Sequence, residues 1–340
     1  MKYKKGLRLI KRSKHQFFEG NENAKENFYK DFINDLIGRN SENKLGELLT
    51  TLNSKFSPVL EDAFLIYSND PFIDIIMYRF VENADEDLKE KMQSIYIGKV
   101  QKDDEANAVA ITRDGNFEGY LIEFYFELEY ILFNVGEAYS AFILSFFDEG
   151  NVDSNLMLEI TAGNISCLPD QNINGMVLSL GIPDAQRKLY GQLAMDAFMA
   201  GTAFVIAHEI GHHMLRHTEN SLQPNMNIRG GNINHEYEFC ADEFALRLMY
   251  KRVAIESNDD FSMEYLLGPV FVILAMALND LNPQLPSQDH PSIADRYRNI
   301  NNNMNKYVKE EEYERIIFIF ECFLKMIDKY KNPWNGTKWW

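Results

Sequence analysis

Residues 194–217 read AMDAFMAGTAFVIAHEIGHHMLRH. Ala194, Ala197, Phe198, Ala200, Ala203, Phe204, Ile206 and Ala207 leave this stretch almost no face for solvent, which predicts a central helix buried on all sides. Upstream, Gly181, Ile182 and Pro183 mark a turn, and Asp184 is placed to cap a helix. The predicted helix runs from Asp184 to about His217.

His208, Glu209, Ile210, Gly211 and His212 spell HExxH inside that segment. Residues four apart on a helix lie one turn above each other, so His208 and His212 can aim two imidazoles at a single zinc ion. Glu209, on the adjoining side, is near enough to take a proton from a zinc-activated water. The bland reading is a helix with three ordinary polar groups. The apolar run Ala203–Ala207 weighs against it, because such groups emerging from a buried helix incur desolvation unless paired or metal-bound.

An open coordination site needs a third protein ligand. A second helix, from about His235 or Glu236 to Ile255, offers Glu238 and Asp242 on one face at four-residue spacing. Glu238 can ligate zinc while Asp242 reaches the free ring nitrogen of a liganding histidine. Ala241 and Ala245 on that side permit close helix packing. His235 and Glu236 read as capping or loop residues, and either replaces Glu238 as ligand if the helix starts later.

HEIGHH followed by EFCADEFA resembles the gluzincin metallopeptidases, particularly the Ste24/HtpX-like (M48) family. The likeness implies zinc held by His208, His212 and Glu238, with Glu209 as general base and Asp242 behind a ligand. His290, Pro291 and Ser292, followed by Arg296, resemble a late element of that family in which a histidine or arginine supports the active site or the oxyanion. The likeness covers about Gly181 to Arg296. The zinc motifs also resemble the ImmA/IrrE-type peptidases and the Lit-like phage-exclusion group. The implied activity is zinc-dependent hydrolysis of peptide bonds in a protein or peptide substrate.

Charge narrows the partners. The chain carries 34 Lys plus Arg against 51 Asp plus Glu, a net −17. Lys2, Lys4, Lys5, Arg8, Lys11, Arg12 and Lys14 open it, so the remainder is more acidic still. A body of that charge repels phosphate backbones, which argues against nucleic-acid binding. Cys167, Cys240 and Cys322 form neither a CxxC pair nor a disulfide framework, and no signal-peptide stretch follows the basic start. The most apolar run, Tyr265–Leu278, is shorter than the roughly 20 residues a membrane span needs. A cytoplasmic protein without a membrane span is expected.

The expected fold class is α+β and predominantly helical, a zincin-like catalytic core with an active-site helix and a small sheet. Residues 1–28 read as a basic, polar arm, 29–150 as an α+β region, 151–309 as the catalytic core, and 310–340 as a docking helix and tail. Phe32, Ile33, Leu36 and Ile37 suggest one helix face, and Leu88–Ile95 a second helix. Ala106–Thr112 alternates as a strand, with a turn at Asp114 and Gly115. Glu123–Phe147 is either a buried helix or two strands. Leu156–Ile160 and Gly175–Leu180 suggest strands, the latter an edge suited to pairing with an extended peptide. Further helices are expected over Met263–Leu278, from Pro291 onward, and over Glu310–Tyr330, the last with an apolar stripe of Ile316, Phe320, Phe323 and Ile327.

On a continuous helix His217 lies about 180° from His208, at about 100° per residue, and is a poor joint ligand. Cys240 reads as a small core thiol and Glu243 as solvent-facing. The competing function is a regulatory or binding protein with a structural or vestigial zinc site. Such a site would be closed by four protein ligands, and Glu209 would have no use in it.

Overall fold

The computed structural model describes residues 71–93, 95–100, 106–111, 120–147, 154–170, 182, 184–218, 232–255, 263–280 and 282–340. The N-terminal arm, the helix face at Phe32–Ile37, the turn at Asp114 and Gly115, and the strand expected at Gly175–Leu180 lie outside these residues. In chain order the elements are α1 (Pro71–Asn83), α2 (Glu86–Met92), β1 (Ile95–Val100), β2 (Ala108–Ile111), β3 (Tyr120–Tyr125), α3 (Phe126–Phe147) and α4 (Ser154–Asp170). There follow α5 (Asp184–Met214), α6 (Ile233–Ile255), α7 (Met263–Asn279), α8 (Ile293–Met304) and α9 (Glu310–Lys331). The fold is α+β and predominantly helical.

Helix α5 is the centre, packed on α3, α6 and α7. Small residues set these spacings. A Cβ added to Gly268 of α7 would meet the Ala200 carbonyl oxygen at 2.5 Å, and one on Gly136 of α3 the Ala194 oxygen at 2.5 Å. The helices touch backbone to backbone there, closer than any larger residue allows. By length and composition α5 is apolar enough to cross a membrane, whereas α7 is too short; 78% of the apolar window of α5 is buried inside this fold.

The sheet has the order β1-β3-β2, with β1 parallel and β2 antiparallel to β3. Strand β2 is therefore an edge among the described residues, and it lies against α5. The Tyr125 N–H donates to the Asn107 carbonyl at 3.0 Å, and Ala108 and Ala110 pair opposite Phe124 and Ile122. Alternation then turns the backbone groups of Ala108 and Ala110 away from β3.

Some sequence expectations are corrected. Of the two alternatives for Glu123–Phe147 the buried helix holds from Phe126, where α3 begins, while Glu123–Tyr125 completes β3. Leu156–Ile160 is helical, inside α4, and its buried positions Met157, Ile160, Thr161, Asn164 and Ile165 follow a helical period. Leu88–Ile95 divides into the end of α2 and the first residue of β1. Helix α8 is capped by Ser292, whose Oγ accepts the Asp295 N–H at 3.0 Å, so Pro291 precedes the cap instead of opening the helix. Ile316, Phe320, Phe323 and Ile327 of α9 are buried as expected. Trp334 fixes the chain beyond α9 by donating its Nε1–H to the Ala277 carbonyl at 2.8 Å.

Candidate metal centre

The last turns of α5 and the first turns of α6 converge. His208 and His212 turn their Nε2 atoms toward each other, 3.1 Å apart. Glu238 of α6 places Oε2 3.4 Å from His208 Nε2 and Oε1 3.4 Å from His212 Nε2. One ligand atom from each of the three lies within 4.8 Å of the others. His208 faces Asp242 while His212 faces Glu238, so the two helices run in opposite directions across the site. Gly211 allows this approach, since a Cβ there would meet Ala241 Cα at 3.2 Å and Phe244 Cβ at 3.3 Å. Two ring nitrogens and a carboxylate, all turned inward, form a donor set that suits a divalent cation such as zinc.

Behind these three side chains stands a buried ionic group. Asp242, fully buried, has Oδ1 2.9 Å from His208 Nδ1. Arg296 of α8 donates from Nε to Asp242 Oδ2 at 3.0 Å and from Nη2 to Oδ1 at 2.6 Å, while its Nη1 lies 3.3 Å from Glu238 Oε2. Arg296 thus faces the two carboxylates that face the histidines. Burial and the Arg296 charge push His208 down, but the bonds to Asp242 and Glu238 prevail and raise it to about 10. Burial raises Glu238, and its histidine partners bring it well below the usual carboxylate range. Asp242 is likewise lowered, with Arg296 and His208 outweighing burial.

Glu209 is buried on the side facing β2, where the Ala110 backbone N–H donates to its carboxylate. Burial raises its pKa against the opposing pull of His208 and His212. Above it opens a cavity of about 670 Å³, walled by residues 106–110 and by apolar Leu128, Phe204, Val205, Val272 and Met276. Asn107 closes one edge donor with its own side chain, Oδ1 accepting the Ala108 N–H at 2.9 Å.

His290, more than half exposed, holds Nδ1 3.5 Å from Glu238 Oε2, and that carboxylate raises its pKa. Its loop is tied to the start of α6. Asn232 donates to the Gln288 carbonyl at 3.0 Å, Asn234 to Asp289 at 3.2 Å, and His235 Nε2 lies 2.9 Å from the Ser287 carbonyl oxygen. His235 is therefore engaged away from the three-ligand cluster. Glu236 is buried, with Oε1 3.7 Å from Cys240 Sγ. Cys240 itself is partly buried, and Glu243 lies 3.0 Å from Lys306 Nζ near the surface.

One expected placement changes. Helix α5 ends at Met214, so His217 does not continue it. Arg216 takes φ +63°, the Arg216 N–H donates to the His213 carbonyl at 3.1 Å, and the His217 N–H donates to the His212 carbonyl at 2.8 Å. This paired C-terminal turn folds the chain back. His217 Nδ1 reaches 3.1 Å from His212 Nδ1, and its ring stacks on Tyr237 at 4.1 Å and 16°. Burial, then His212 and His208 beside it, push His217 down to about 3. His213 is buried instead, Nδ1 3.1 Å from Thr218 Oγ1 and its ring against Tyr120. Sequence reading missed Asn107 and Ala110 as site residues, and no glycine after Met214 signalled the reversal at Arg216.

Residues 169–318 match the family model described as Peptidase U49. The match covers less than half of the chain, includes His208, Glu209, His212, Glu238, Asp242, His290 and Arg296, and supports a peptidase family. It lends nothing specific to the Ste24/HtpX-like or ImmA/IrrE-type resemblance. No curated protein and no solved structure matches the chain.

Proposed function

We propose that this protein is a zinc-dependent peptidase of the HExxH…E type. The observation that carries the reading is the convergence of His208, His212 and Glu238 within 4.8 Å, with buried Glu209 beside them under an open cavity. The peptidase family match across these residues supports it independently.

His208, His212 and Glu238 would hold the cation. A zinc ion bound there supplies Lewis acidity, polarising a peptide carbonyl and acidifying the attacking water. Glu209 accepts the proton of that water and returns one to the departing amine. The Ala110 N–H orients the Glu209 carboxylate, and burial raises its basicity toward the working range. The substrate lies extended along β2, donating to the outward carbonyls of Ala108 and Ala110, whose N–H groups are held by Asn107 and Glu209. Gly175–Leu180, the peptide-pairing edge expected from the sequence, lies outside the described residues. His290, exposed at the rim, donates to the developing oxyanion, whose stabilisation by one such donor is worth about 3 kcal/mol. Arg296 acts from behind, neutralising Asp242 and Glu238 so that the two histidines keep their orientation.

The test is Glu209→Gln. Purified with zinc, the variant keeps wild-type metal content and loses cleavage of a protein substrate identified with the wild-type chain. Full cleavage by that variant removes Glu209 from the proton-transfer role.

A further inference from the structure

His212 Nε2 faces Glu238 and His208, the position from which it would ligate a cation. An imidazole that ligates through Nε2 carries its proton on Nδ1. That Nδ1 lies 3.1 Å from His217 Nδ1, so it donates, and His217 receives it through an unprotonated Nδ1. The two metal-facing histidines are thus held differently, His208 by the charged Asp242 carboxylate and His212 by a neutral ring.

Two further features fix the accepting ring. The turn at Arg216, with φ +63°, brings His217 back over the end of α5 through the 2.8 Å bond from its N–H to the His212 carbonyl. A left-handed conformation at a residue with a side chain is disfavoured, and it persists where the surroundings require it. Tyr237, one residue before Glu238, then stacks on the His217 ring at 4.1 Å, joining the turn to the helix that supplies the third ligand.

We infer that His217 is a positioning residue for the metal site, accepting the His212 Nδ1 proton to fix that ligand's tautomer and ring plane. This rests on the zinc reading above and assigns His217 no contact with substrate. Partners of this kind change metal affinity by about 10–100-fold when removed.

The experiment uses the full chain with zinc, and two substitutions that separate hydrogen bonding from packing. His217→Phe keeps a ring to stack on Tyr237 and deletes the acceptor. His217→Asn loses the ring and keeps an acceptor oxygen near the position of Nδ1. Zinc release to excess chelator is timed for each, and the visible absorption of the cobalt-substituted proteins reports ligand geometry. The expected result is release at least about 10-fold faster for His217→Phe with an altered cobalt spectrum, and recovery toward wild type for His217→Asn. Wild-type release and spectrum in His217→Phe, with loss in His217→Asn, overturn the inference and leave a packing role. A wild-type chain that takes up no zinc overturns the zinc reading along with it.

Discussion

Asp242 Oδ1 accepts the Nδ1 proton of His208 at 2.9 Å, on the side of the imidazole ring away from Glu238. The same carboxylate is gripped by Arg296 at 2.6 and 3.0 Å, so a fully buried acid holds an imidazole on one side and a guanidinium on the other. Asp242→Ala should destabilise the fold by about 3–5 kcal/mol, because it leaves Arg296 buried with half its partners. Asp242→Asn keeps the shape and should instead lower zinc affinity about 10–100-fold. Denaturant unfolding and zinc competition distinguish the two effects. Wild-type values for both variants would contradict the arrangement.

Close helix packing gives a second prediction. Gly268→Ala would drive its Cβ to 2.5 Å from the Ala200 carbonyl oxygen, and backbone cannot yield cheaply. The helix-propensity gain of about 1 kcal/mol is outweighed, and a net loss of about 1–3 kcal/mol is expected. Gly211→Ala meets Ala241 at 3.2 Å, which a shift of a few tenths of an ångström relieves. Its stability should change little, while its zinc content falls because the shift moves α6, and with it Glu238. Thermal unfolding and elemental analysis of both variants check this.

Glu137 predicts a pH dependence away from the site. It is buried among α3, α4 and α5, and its Oε2 has no hydrogen-bond partner among the described residues. Burial raises its pKa to about 7, against the lowering effect of Asn164 and Tyr190. The folded state therefore holds a proton that the unfolded chain releases near 4.5. That contribution to stability is complete below the unfolded value and is lost as pH rises through about 7. The full loss is at most roughly 3 kcal/mol. Melting temperatures between pH 5 and 8 should fall for the wild type and fall less for Glu137→Gln. Parallel profiles would contradict it.

The central helix and the convergence of His208 and His212 were legible because their signals are local. The alanine-rich run before His208 marks a buried helix, and His208 and His212 need only one turn of it to converge. Glu238 and Asp242 were legible from the same four-residue rule on α6. What failed depended on surroundings. Leu156–Ile160 looks like a strand within five residues, and only the continuation through Thr161, Asn164 and Ile165 shows the helical period. No turn residue separates Tyr125 from Phe126, so the change from strand to helix left no mark. The reversal at Arg216 lacks the glycine that usually signals it, which hid the contact of His217 with His212. The grip of Arg296 on Asp242 joins helices 54 residues apart, beyond any local pattern.

The most direct measurement of the shared metal site is X-ray absorption at the zinc edge of the purified wild-type chain. The expected spectrum contains two imidazole shells and carboxylate or water oxygen, all at about 2.0–2.2 Å, with one zinc per chain. Sulfur scattering at about 2.3 Å, a single imidazole, or an unchanged spectrum in Glu238→Ala would contradict a cation held by His208, His212 and Glu238.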